Sequence, residues 1–373
     1  MNFCQHNFKG FAQALHFTRF NSNSKRCLYI CFAALLVIRL LQSASFAQST
    51  GGTVKEDLLE SSSRAVTSAG ALPTTSIPTQ LKIVSYNIRW RGGEDLQRLI
   101  QLFKTDKDIG GAHIIGLQEV DRNRTRTNRL NTVRIIAEAL DWNYVWAAPP
   151  PPGRGENGDA QRPEMNAAPL GTKVAGDKKV ADEFEEETGV ALLSPYQLTN
   201  VERLVLPRPG PGDRRRAAVG ATVHIRATPV RVYSVHAETP ISVKEKIEQL
   251  QAVLDSLARA QTPATTSTSD TGTSNTPPLA VVLGDFNTWQ PDSKRDTIKL
   301  FTAAGFATPF TPGHTTFRRS YFGVPIKFRL DWIWLRGFPA ATNSGIARDI
   351  TISDHFPLWL EVPLPTIPAI SIR

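Results

Sequence analysis

The sequence predicts an α/β fold for the folded part of this 373-residue chain. Short apolar runs typical of buried strands alternate along it with amphipathic stretches typical of helices. Hydrophobic residue types make up 41% of the chain, so it can bury a full core. A chain of this length and composition could hold one large domain or two small ones.

The predicted elements begin near residue 80. Strands are expected at 81–88, 114–120, 144–147, 190–193, 217–225, 230–236, 279–283, 330–335 and 356–362. Helices are expected at 95–103, 130–140, 243–259 and 292–304. The third helix is the clearest, because Ile247, Leu250, Leu254 and Leu257 recur at the spacing of one helical face.

Residues 1–47 are predicted to be a signal peptide, with an uncleaved N-terminal anchor as the alternative. The basic pair Lys25-Arg26 precedes the apolar run 27–41, and the small residues of 45–47 fit a signal-peptidase site. The apolar run is short for a membrane span. We therefore expect export to the periplasm or the extracellular space.

The predicted presequence changes how charge and cysteine content are interpreted. The formal charge is +9 from 43 basic and 34 acidic residues, but five of the basic and none of the acidic residues lie in 1–47, which leaves +4 for the rest. This modest charge weakens a general argument for nucleic-acid binding. All three cysteines also lie in 1–47, so neither a disulfide framework nor thiol chemistry is expected in the mature chain.

Three segments have the composition of linkers or loops. Residues 48–79 are rich in Ser, Thr, Ala, Gly and Pro and predict a flexible tether before a domain that spans 80–373. Residues 148–180 and 262–278 have similar composition and predict two surface-loop insertions in that domain.

Polar side chains recur where the predicted strands begin or end. They are Asn87, Glu119, His236, Asp285, Asn287, Asp331, Asp354 and His355. A single Asp or Asn at a strand end is commonly a turn former or a helix cap. The recurrence favours a second interpretation, in which neighbouring strands bring these side chains to one sheet edge.

These residue types suit metal-assisted phosphate chemistry. Carboxylate oxygens are the ligands that Mg²⁺ prefers, and Mg²⁺ usually binds one or two of them together with waters. Such a metal polarises a phosphoryl oxygen, while a carboxylate and an amide can orient an attacking water. The mature chain lacks the cysteines and the closely spaced histidine pair of a typical Zn²⁺ site.

Six motifs in order resemble the endonuclease/exonuclease/phosphatase superfamily, the deoxyribonuclease-I-like metal-dependent phosphoesterases. They are Y-N-I, L-Q-E-V, S-V-H, G-D-F-N, L-D-W-I and S-D-H-F-P-L, and the resemblance covers about 80–363. It implies a four-layer α/β sandwich, with two mixed β-sheets packed face to face and helices outside, and a phosphoesterase site at one edge.

The resemblance also implies a metal site. Glu119 would be the principal Mg²⁺ ligand, Asn87 would lie beside the metal or its water, and Asp354 would lie on the metal side. Mn²⁺ and Ca²⁺ are the alternative ions.

Catalytic roles follow from the same resemblance. Asp285 would orient or deprotonate the attacking water, and Asn287 would position it and the phosphate. Asp331 would hold His355, which would face the scissile phosphate as base, acid or electrostatic stabiliser. His236 would contact the phosphate or assist the leaving group.

Arginines are the candidate substrate-binding residues. Arg89 stands where the abasic-site endonuclease branch has an Asp, which favours similarity to the deoxyribonuclease-I branch. Arg122 and Arg124 follow L-Q-E-V directly and are expected to contact substrate phosphates, with a solvated loop as the alternative. A second arginine cluster, 214–216, is expected to be a solvated surface. Whether Glu187 pairs with His236 is left open.

The leading hypothesis is an exported Mg²⁺-dependent hydrolase of a phosphodiester or phosphomonoester. A small-molecule or lipid-linked substrate is favoured, with peripheral membrane contact as a further possibility, and the protein is expected to be a monomer. The alternative is an extracellular deoxyribonuclease-I-like endonuclease, which would make nucleic acid the partner. A third hypothesis is a catalytically inactive binding module on the same fold.

Overall fold

The computed structural model describes residues 58–62, 78–152, 187–225, 228–261, 278–311 and 313–365. Residues 1–47, which carry the predicted presequence, lie outside this part of the chain, as do most of the two predicted insertions. Within these ranges, no helix has the length and apolar character that a membrane crossing requires.

The first of two large sheets has seven strands in the order β1-β4-β5-β3-β2-β14-β13. Its strands are β1 (Leu59–Ser62), β2 (Gln80–Asn87), β3 (Ile114–Arg122), β4 (Asn143–Ala147), β5 (Glu187–Ser194), β13 (Asn343–Ile346) and β14 (Leu358–Pro363). The β2–β3 pair is parallel and the other pairs are antiparallel, so the sheet is mixed.

The second large sheet has five strands in the order β12-β9-β8-β7-β6. Its strands are β6 (Gln197–Val205), β7 (Ala217–Ile225), β8 (Thr228–His236), β9 (Ala280–Asp285) and β12 (Asp331–Arg336). Here the β8–β9 pair is parallel. A separate two-stranded ribbon pairs β10 (Phe317–Tyr321) with β11 (Val324–Phe328).

Four α-helices in the described part of the chain complete the layers. They are α1 (Gly93–Thr105), α2 (Thr132–Leu140), α3 (Val243–Gln261) and α4 (Pro291–Ala303). One apolar cluster joins the first sheet to α1 and α2, a second lies between the sheets, and a third joins the second sheet to α3 and α4. This helix–sheet–sheet–helix order confirms the predicted four-layer α/β sandwich.

The helix that links the parallel strands β8 and β9 has a clear start signal. Ser242 and Glu245 form a reciprocal capping box, in which the Glu245 carboxylate accepts from Ser242 N at 2.9 Å and the Ser242 hydroxyl accepts from Glu245 N at 3.3 Å. This cap fixes the start of α3, the connection between β8 and β9. Because the two strands are parallel, their carboxyl ends emerge at the same edge of the second sheet.

A glycine lies where the two sheets face each other. A Cβ on Gly116 of β3 would lie 1.9 Å from Leu283 Cδ1 of β9, so any side chain there would displace the Leu283 side chain. Beside this contact, Gln118 Nε2 donates to Ser234 Oγ at 3.0 Å across the interface. The two sheets are therefore held in register close to the ends that carry the polar residues.

The prediction that residues 48–79 form a linker is wrong for one part of that segment. Residues 59–62 form β1, which pairs antiparallel with β4 along the edge of the first sheet. The Glu60 carboxylate accepts from Arg122 at 3.0 Å, from Arg134 at 2.7 Å and from the Tyr144 hydroxyl. These contacts offset the entropy that the chain loses when this polar segment is ordered.

Candidate active site

The two parallel strand pairs bring polar residues of both sheets to one edge. Asn87 at the end of β2 lies opposite Gln118 of β3, one residue before Glu119. In the second sheet, His236 at the end of β8 pairs in register with Asp285 at the end of β9. Asn87 Nδ2 joins the two groups by donating to Glu119 Oε1 at 3.2 Å and to Asp285 Oδ2 at 3.0 Å.

Glu119 lies on a break in the strand. The register of β3 against β5 shifts between Gln118 and Val120, and Glu119 has a φ of 55°, which is a left-handed conformation that costs free energy in a non-glycine residue. Its Oε2 is buried without a hydrogen-bond partner among the described residues. Burial raises the pKa of this carboxyl group. An orphaned carboxylate oxygen in a strained backbone position has the character of a ligand for a divalent cation.

Asp285 is the centre of the site. Its Oδ1 accepts from Asn287 N at 2.9 Å, and its Oδ2 lies 3.6 Å from His236 Nε2 and 3.7 Å from His355 Nε2. The side chain is buried, and burial raises its pKa although the charge of His355 opposes that shift. A carboxylate with a raised pKa is better suited to accept a proton from water than an exposed one.

Asp331 and His355 form a hydrogen-bonded pair beside Asp285. His355 Nδ1 lies 2.9 Å and 3.0 Å from the two Asp331 oxygens. Burial lowers the pKa of His355, but the nearby charges of Asp331 and Asp285 outweigh burial and raise that pKa to about 10. The pair therefore holds a charged imidazole with Nε2 towards Asp285.

His236 has the opposite electrostatic environment. Burial, reinforced by the charge of Arg216, lowers its pKa well below the usual value. Its Nδ1 lies 3.5 Å from Arg216 Nη1, and its Nε2 lies 3.9 Å from Glu119 Oε1. Two histidines of different charge thus flank Asp285, one neutral and one protonated. The pairing of Glu187 with His236 is not formed, because Glu187 binds Arg122 instead.

Asn287 is held by a residue that the sequence analysis missed. Its φ is 52°, its Nδ2 donates to Ala237 O at 2.8 Å, and its carbonyl accepts from Lys246 Nζ at 2.5 Å. Lys246 is fully buried, and burial lowers its pKa to about 8. A sequence signal was present, since Lys246 precedes Leu250 by four residues and Val253 by seven on the apolar face of α3.

Arg89 and Asp354 lie together at the rim of the site. Arg89 Nη1 is 2.9 Å from Asp354 Oδ2, and Arg89 N donates to Asn87 Oδ1 at 3.0 Å. Both residues line one cavity with Glu119 and Asp285, and the substrate-binding role of Arg89 stays a prediction. The metal-side role of Asp354 stays a prediction, and in this structure its carboxylate is paired with Arg89.

These side chains surround a cavity of about 530 Å³. Glu119, Asp285 and His355 form its polar floor, and aromatic side chains including Trp90, Trp289, Phe317 and Phe328 form much of its wall. Phe317 packs edge-on against His355 with 5.0 Å between ring centroids. The cavity therefore combines a charged floor with an apolar flank.

A family comparison agrees with this geometry. The sequence profile of the Endonuclease/Exonuclease/phosphatase family matches residues 84–355, from within the second strand to His355. This chain belongs to that family. Family members are hydrolases of phosphoester bonds and depend on divalent metal ions. No curated protein sequence matches the chain significantly.

Solved structures of other family members share the fold. A family protein from Beutenbergia cavernae is 17% identical with a TM-score of 0.51, covering 78% of this chain and 73% of its own. A family protein from Leptotrichia buccalis is 15% identical with a TM-score of 0.50, and the match covers 76% of this chain and 100% of its own. D. rerio TDP2, solved with a single-strand DNA product, is 13% identical with a TM-score of 0.50. The match covers 77% of this chain and 100% of that chain. At these identities the likeness shows the fold alone.

The prediction that Arg122 contacts substrate is corrected. Its guanidinium is buried 2.6 Å from Glu187 and 3.0 Å from Glu60, and it stacks on Trp146 at 4.2 Å from the ring centroid. These contacts make Arg122 a packing residue of the first sheet. Arg124 lies instead on the wall of a second cavity, together with the 214–216 cluster.

The family's metal has two candidate positions among the described residues. Asp285, Asp331 and His355 offer ligand atoms within 4.8 Å of one another. However, both Asp331 oxygens already lie within hydrogen-bond distance of His355 Nδ1. Glu119 has a free oxygen and Asn87 lies beside it, so the Glu119 position fits a hard divalent cation better.

Proposed function

We propose that this chain is a Mg²⁺-dependent hydrolase of phosphodiesters or phosphomonoesters. The single observation that carries the proposal is the convergence of the orphaned Glu119 oxygen, the buried Asp285 and the Asp331–His355 pair on one cavity. Each supplies one requirement of water attack on a phosphoester: a metal ligand, a proton acceptor and a fixed positive charge.

The residues divide the work of the reaction. Glu119 and Asn87 would hold the metal, which when bound polarises a phosphoryl oxygen. Asp285 accepts the proton of the attacking water, and Asn287 orients that water and the phosphate. His355, with Nδ1 held by Asp331, donates from Nε2 to a phosphoryl oxygen and stabilises its growing charge. Neutral His236 contacts the phosphate beside the leaving group.

The cavity wall supports a small or lipid-linked substrate with an apolar or aromatic substituent. Trp289 and Phe328 pack with their ring centroids 6.5 Å apart beside Ile326, and Trp90 lies on the same cavity. At the tip of the neighbouring β10–β11 ribbon, Phe322 and Val324 are exposed. We include peripheral contact with a lipid surface in the proposal, because exposed apolar side chains at a tip favour such contact.

A substrate panel tests the proposal. Bis(4-nitrophenyl) phosphate, sphingomyelin vesicles, inositol phosphates and supercoiled plasmid are each incubated with Mg²⁺, Mn²⁺, Ca²⁺ or EDTA. We expect metal-dependent turnover of a small or lipid phosphoester that is lost in Glu119→Ala and Asp285→Ala, and retained in the surface variant Glu138→Ala. Full activity in excess EDTA would overturn the mechanism. Turnover of plasmid alone would favour the nuclease alternative.

Export is part of the same proposal and rests on the sequence of residues 1–47. Expression of the full chain, followed by cell fractionation and mass spectrometry of the mature N-terminus, tests it. Processing after Ala47 supports a signal peptide, whereas an intact N-terminus in the membrane fraction supports the anchor.

A further inference from the structure

A third cavity, of about 540 Å³, is lined in part by the β10–β11 ribbon. Side chains along a strand alternate between its two faces. Phe317 and Phe328 line the candidate active-site cavity, whereas Arg318 and Lys327, the next residue inward on each strand, line the third cavity. The ribbon therefore separates the two cavities, and we call the third one the ribbon cavity.

Backbone hydrogen bonds hold the wall of the ribbon cavity in place. Arg318 N donates to Asp354 O at 2.8 Å, and Phe356 N donates to Thr316 O at 2.7 Å. Thr316 N in turn donates to Phe328 O at 2.9 Å. These bonds tie the base of the ribbon to the loop before β14, and that loop supplies a further part of the cavity lining.

Two cations lie directly opposite each other on the ribbon. Arg318 pairs with Lys327 in the antiparallel register of β10 and β11, and both side chains line the ribbon cavity. Like charges at directly opposite positions destabilise an antiparallel strand pair. Packing does not require the two charges, because both residues are exposed. The arrangement therefore favours a negatively charged ligand that lies between them.

A third cation comes from another part of the chain. Arg348 lies in the loop before β14 and lines the same cavity. The described residues that line this cavity include no Asp or Glu, and Arg318, Lys327 and Arg348 form no ion pair with a described carboxylate. The nearby Asp354 carboxylate pairs instead with Arg89 at 2.9 Å. Three cations thus share one concave surface without an acidic ion-pair partner among the described residues.

We propose that the ribbon cavity binds the phosphate group of a phosphate ester, which is supplied by a lipid headgroup or by a soluble ester. Phosphate suits the cavity because its charged oxygens accept strong hydrogen bonds from guanidinium and ammonium groups. Thr315, Ser320 and Thr351 add hydroxyl groups to the lining. The exposed Phe322 and Val324 at the ribbon tip favour contact with a lipid surface. This site is separate from the candidate active site and does not require the proposed hydrolysis.

Site-resolved binding of a soluble ester tests the proposal without turnover. The full chain, labelled with ¹⁵N and kept in EDTA, is titrated with glycerol 3-phosphate at low ionic strength, with sodium chloride as the reference salt. We expect saturable shifts of the amide resonances of Ser320, Arg348 and Thr351, which lie around the ribbon cavity. The amides of Ala237 and Asn287 report separately on binding in the candidate active site.

Vesicle sedimentation tests the lipid source. Phosphatidylcholine vesicles carry either phosphatidic acid or oleic acid at loadings that give the same electrophoretic mobility. Because both surfaces attract cations equally, tighter binding to phosphatidic acid reports recognition of its phosphate. Amide shifts around the cavity without this preference assign a soluble ester, and the preference without the shifts assigns the lipid headgroup. The absence of both would overturn the proposal.

A double variant localises the binding. Arg318→Gln with Lys327→Gln removes both opposed cations and relieves their repulsion, so the ribbon should stay folded. We expect its affinity for glycerol 3-phosphate at the cavity to fall about fivefold or more, together with loss of any preference for phosphatidic acid. The matched control Arg98→Gln with Lys104→Gln removes the same charge from exposed positions on α1 and should keep the wild-type behaviour.

A variant outside the ribbon covers the case in which the double variant does not fold. Arg348→Gln removes the third cation and leaves the strand pair unchanged. It should weaken binding at the cavity while the amides of Ala237 and Asn287 respond as in the wild type. Wild-type affinity in both the double variant and Arg348→Gln would refute the site.

Discussion

Asp285 and Asp331 lie directly opposite each other in the register between β9 and β12, and both face His355. His355 Nδ1 is 2.9 Å from Asp331 Oδ2, and Nε2 is 3.7 Å from Asp285 Oδ2. Two buried carboxylates on neighbouring strands would repel each other unless a positive charge lay between them. The protonated imidazole supplies that charge, so the three residues work as one electrostatic unit.

The first prediction concerns the pH dependence of stability. The pKa of His355 is raised to about 10 in the fold, above the usual value of 6.5 for the unfolded chain. The contribution of His355 to the free energy of unfolding is therefore fully present below pH 6.5 and is lost as the pH rises towards 10. In EDTA, the free energy of unfolding of the wild type should fall between pH 6.5 and pH 10. This fall should exceed that of Asp331→Asn by on the order of 2 kcal/mol.

Urea unfolding at pH 6, 8 and 10 measures this difference. Asp292→Asn, on the exposed first turn of α4, is the control and should follow the wild-type profile. Parallel pH profiles for the wild type and Asp331→Asn would show that Asp331 does not set the charge of His355.

The second prediction concerns the metal. Glu119→Gln removes the carboxylate whose Oε2 lacks a partner and whose pKa is raised by burial. In EDTA this variant should be at least as stable as the wild type, because it no longer buries a charge. Addition of Mg²⁺ should raise the melting temperature of the wild type and leave that of Glu119→Gln unchanged. Thermal unfolding measures both effects.

The matched control is Glu138→Gln, which changes an exposed carboxylate on α2. It should respond to Mg²⁺ as the wild type does. A full Mg²⁺ response in Glu119→Gln would move the metal to the Asp285, Asp331 and His355 group.

The third prediction assigns a positioning role to Lys246. Lys246→Met fills the same buried space but leaves the Asn287 carbonyl without its donor. We expect kcat on the best substrate of the panel to fall by about tenfold with little change in KM. The reason is that the loss of one buried charged hydrogen bond displaces Asn287 but leaves the aromatic wall of the cavity in place. Lys244→Met, exposed on the same helix, should have wild-type kinetics. Equal kcat values for both variants would refute the role.

Much of the fold followed from the sequence because its buried strands are continuous apolar runs. Strands such as β3, β8 and β9 are almost entirely buried, and each ends in a polar residue that packing alone would not select. Those two signals predicted an α/β fold and a polar cluster at one sheet edge, and the resemblance carried by the order of the motifs implied the four layers and the roles of the residues around Asp285.

The remaining elements depend on contacts that have no local sequence signature. The strands β1, β6, β10, β11 and β13 were not predicted, and four of them carry partly or fully exposed residues that interrupt any apolar run. Strand β1 forms because Glu60 finds Arg122, Arg134 and Tyr144 at distant positions in the chain. The role of Arg122 was mistaken for the same reason, since both of its carboxylate partners lie more than sixty residues away.

The last prediction tests that corrected role. Arg122→Ala leaves Glu187 buried without its guanidinium partner and removes the stacking on Trp146. Removing one partner of a buried ion pair costs about 3 kcal/mol, so we expect the free energy of unfolding to fall by this order. The exposed control Arg98→Ala should lose less than about 0.5 kcal/mol. Under conditions where the variant is folded, its kcat/KM should stay within about twofold of the wild type. A large fall in kcat/KM with unchanged stability would restore Arg122 as a substrate-binding residue, and urea titrations paired with steady-state kinetics distinguish the two outcomes.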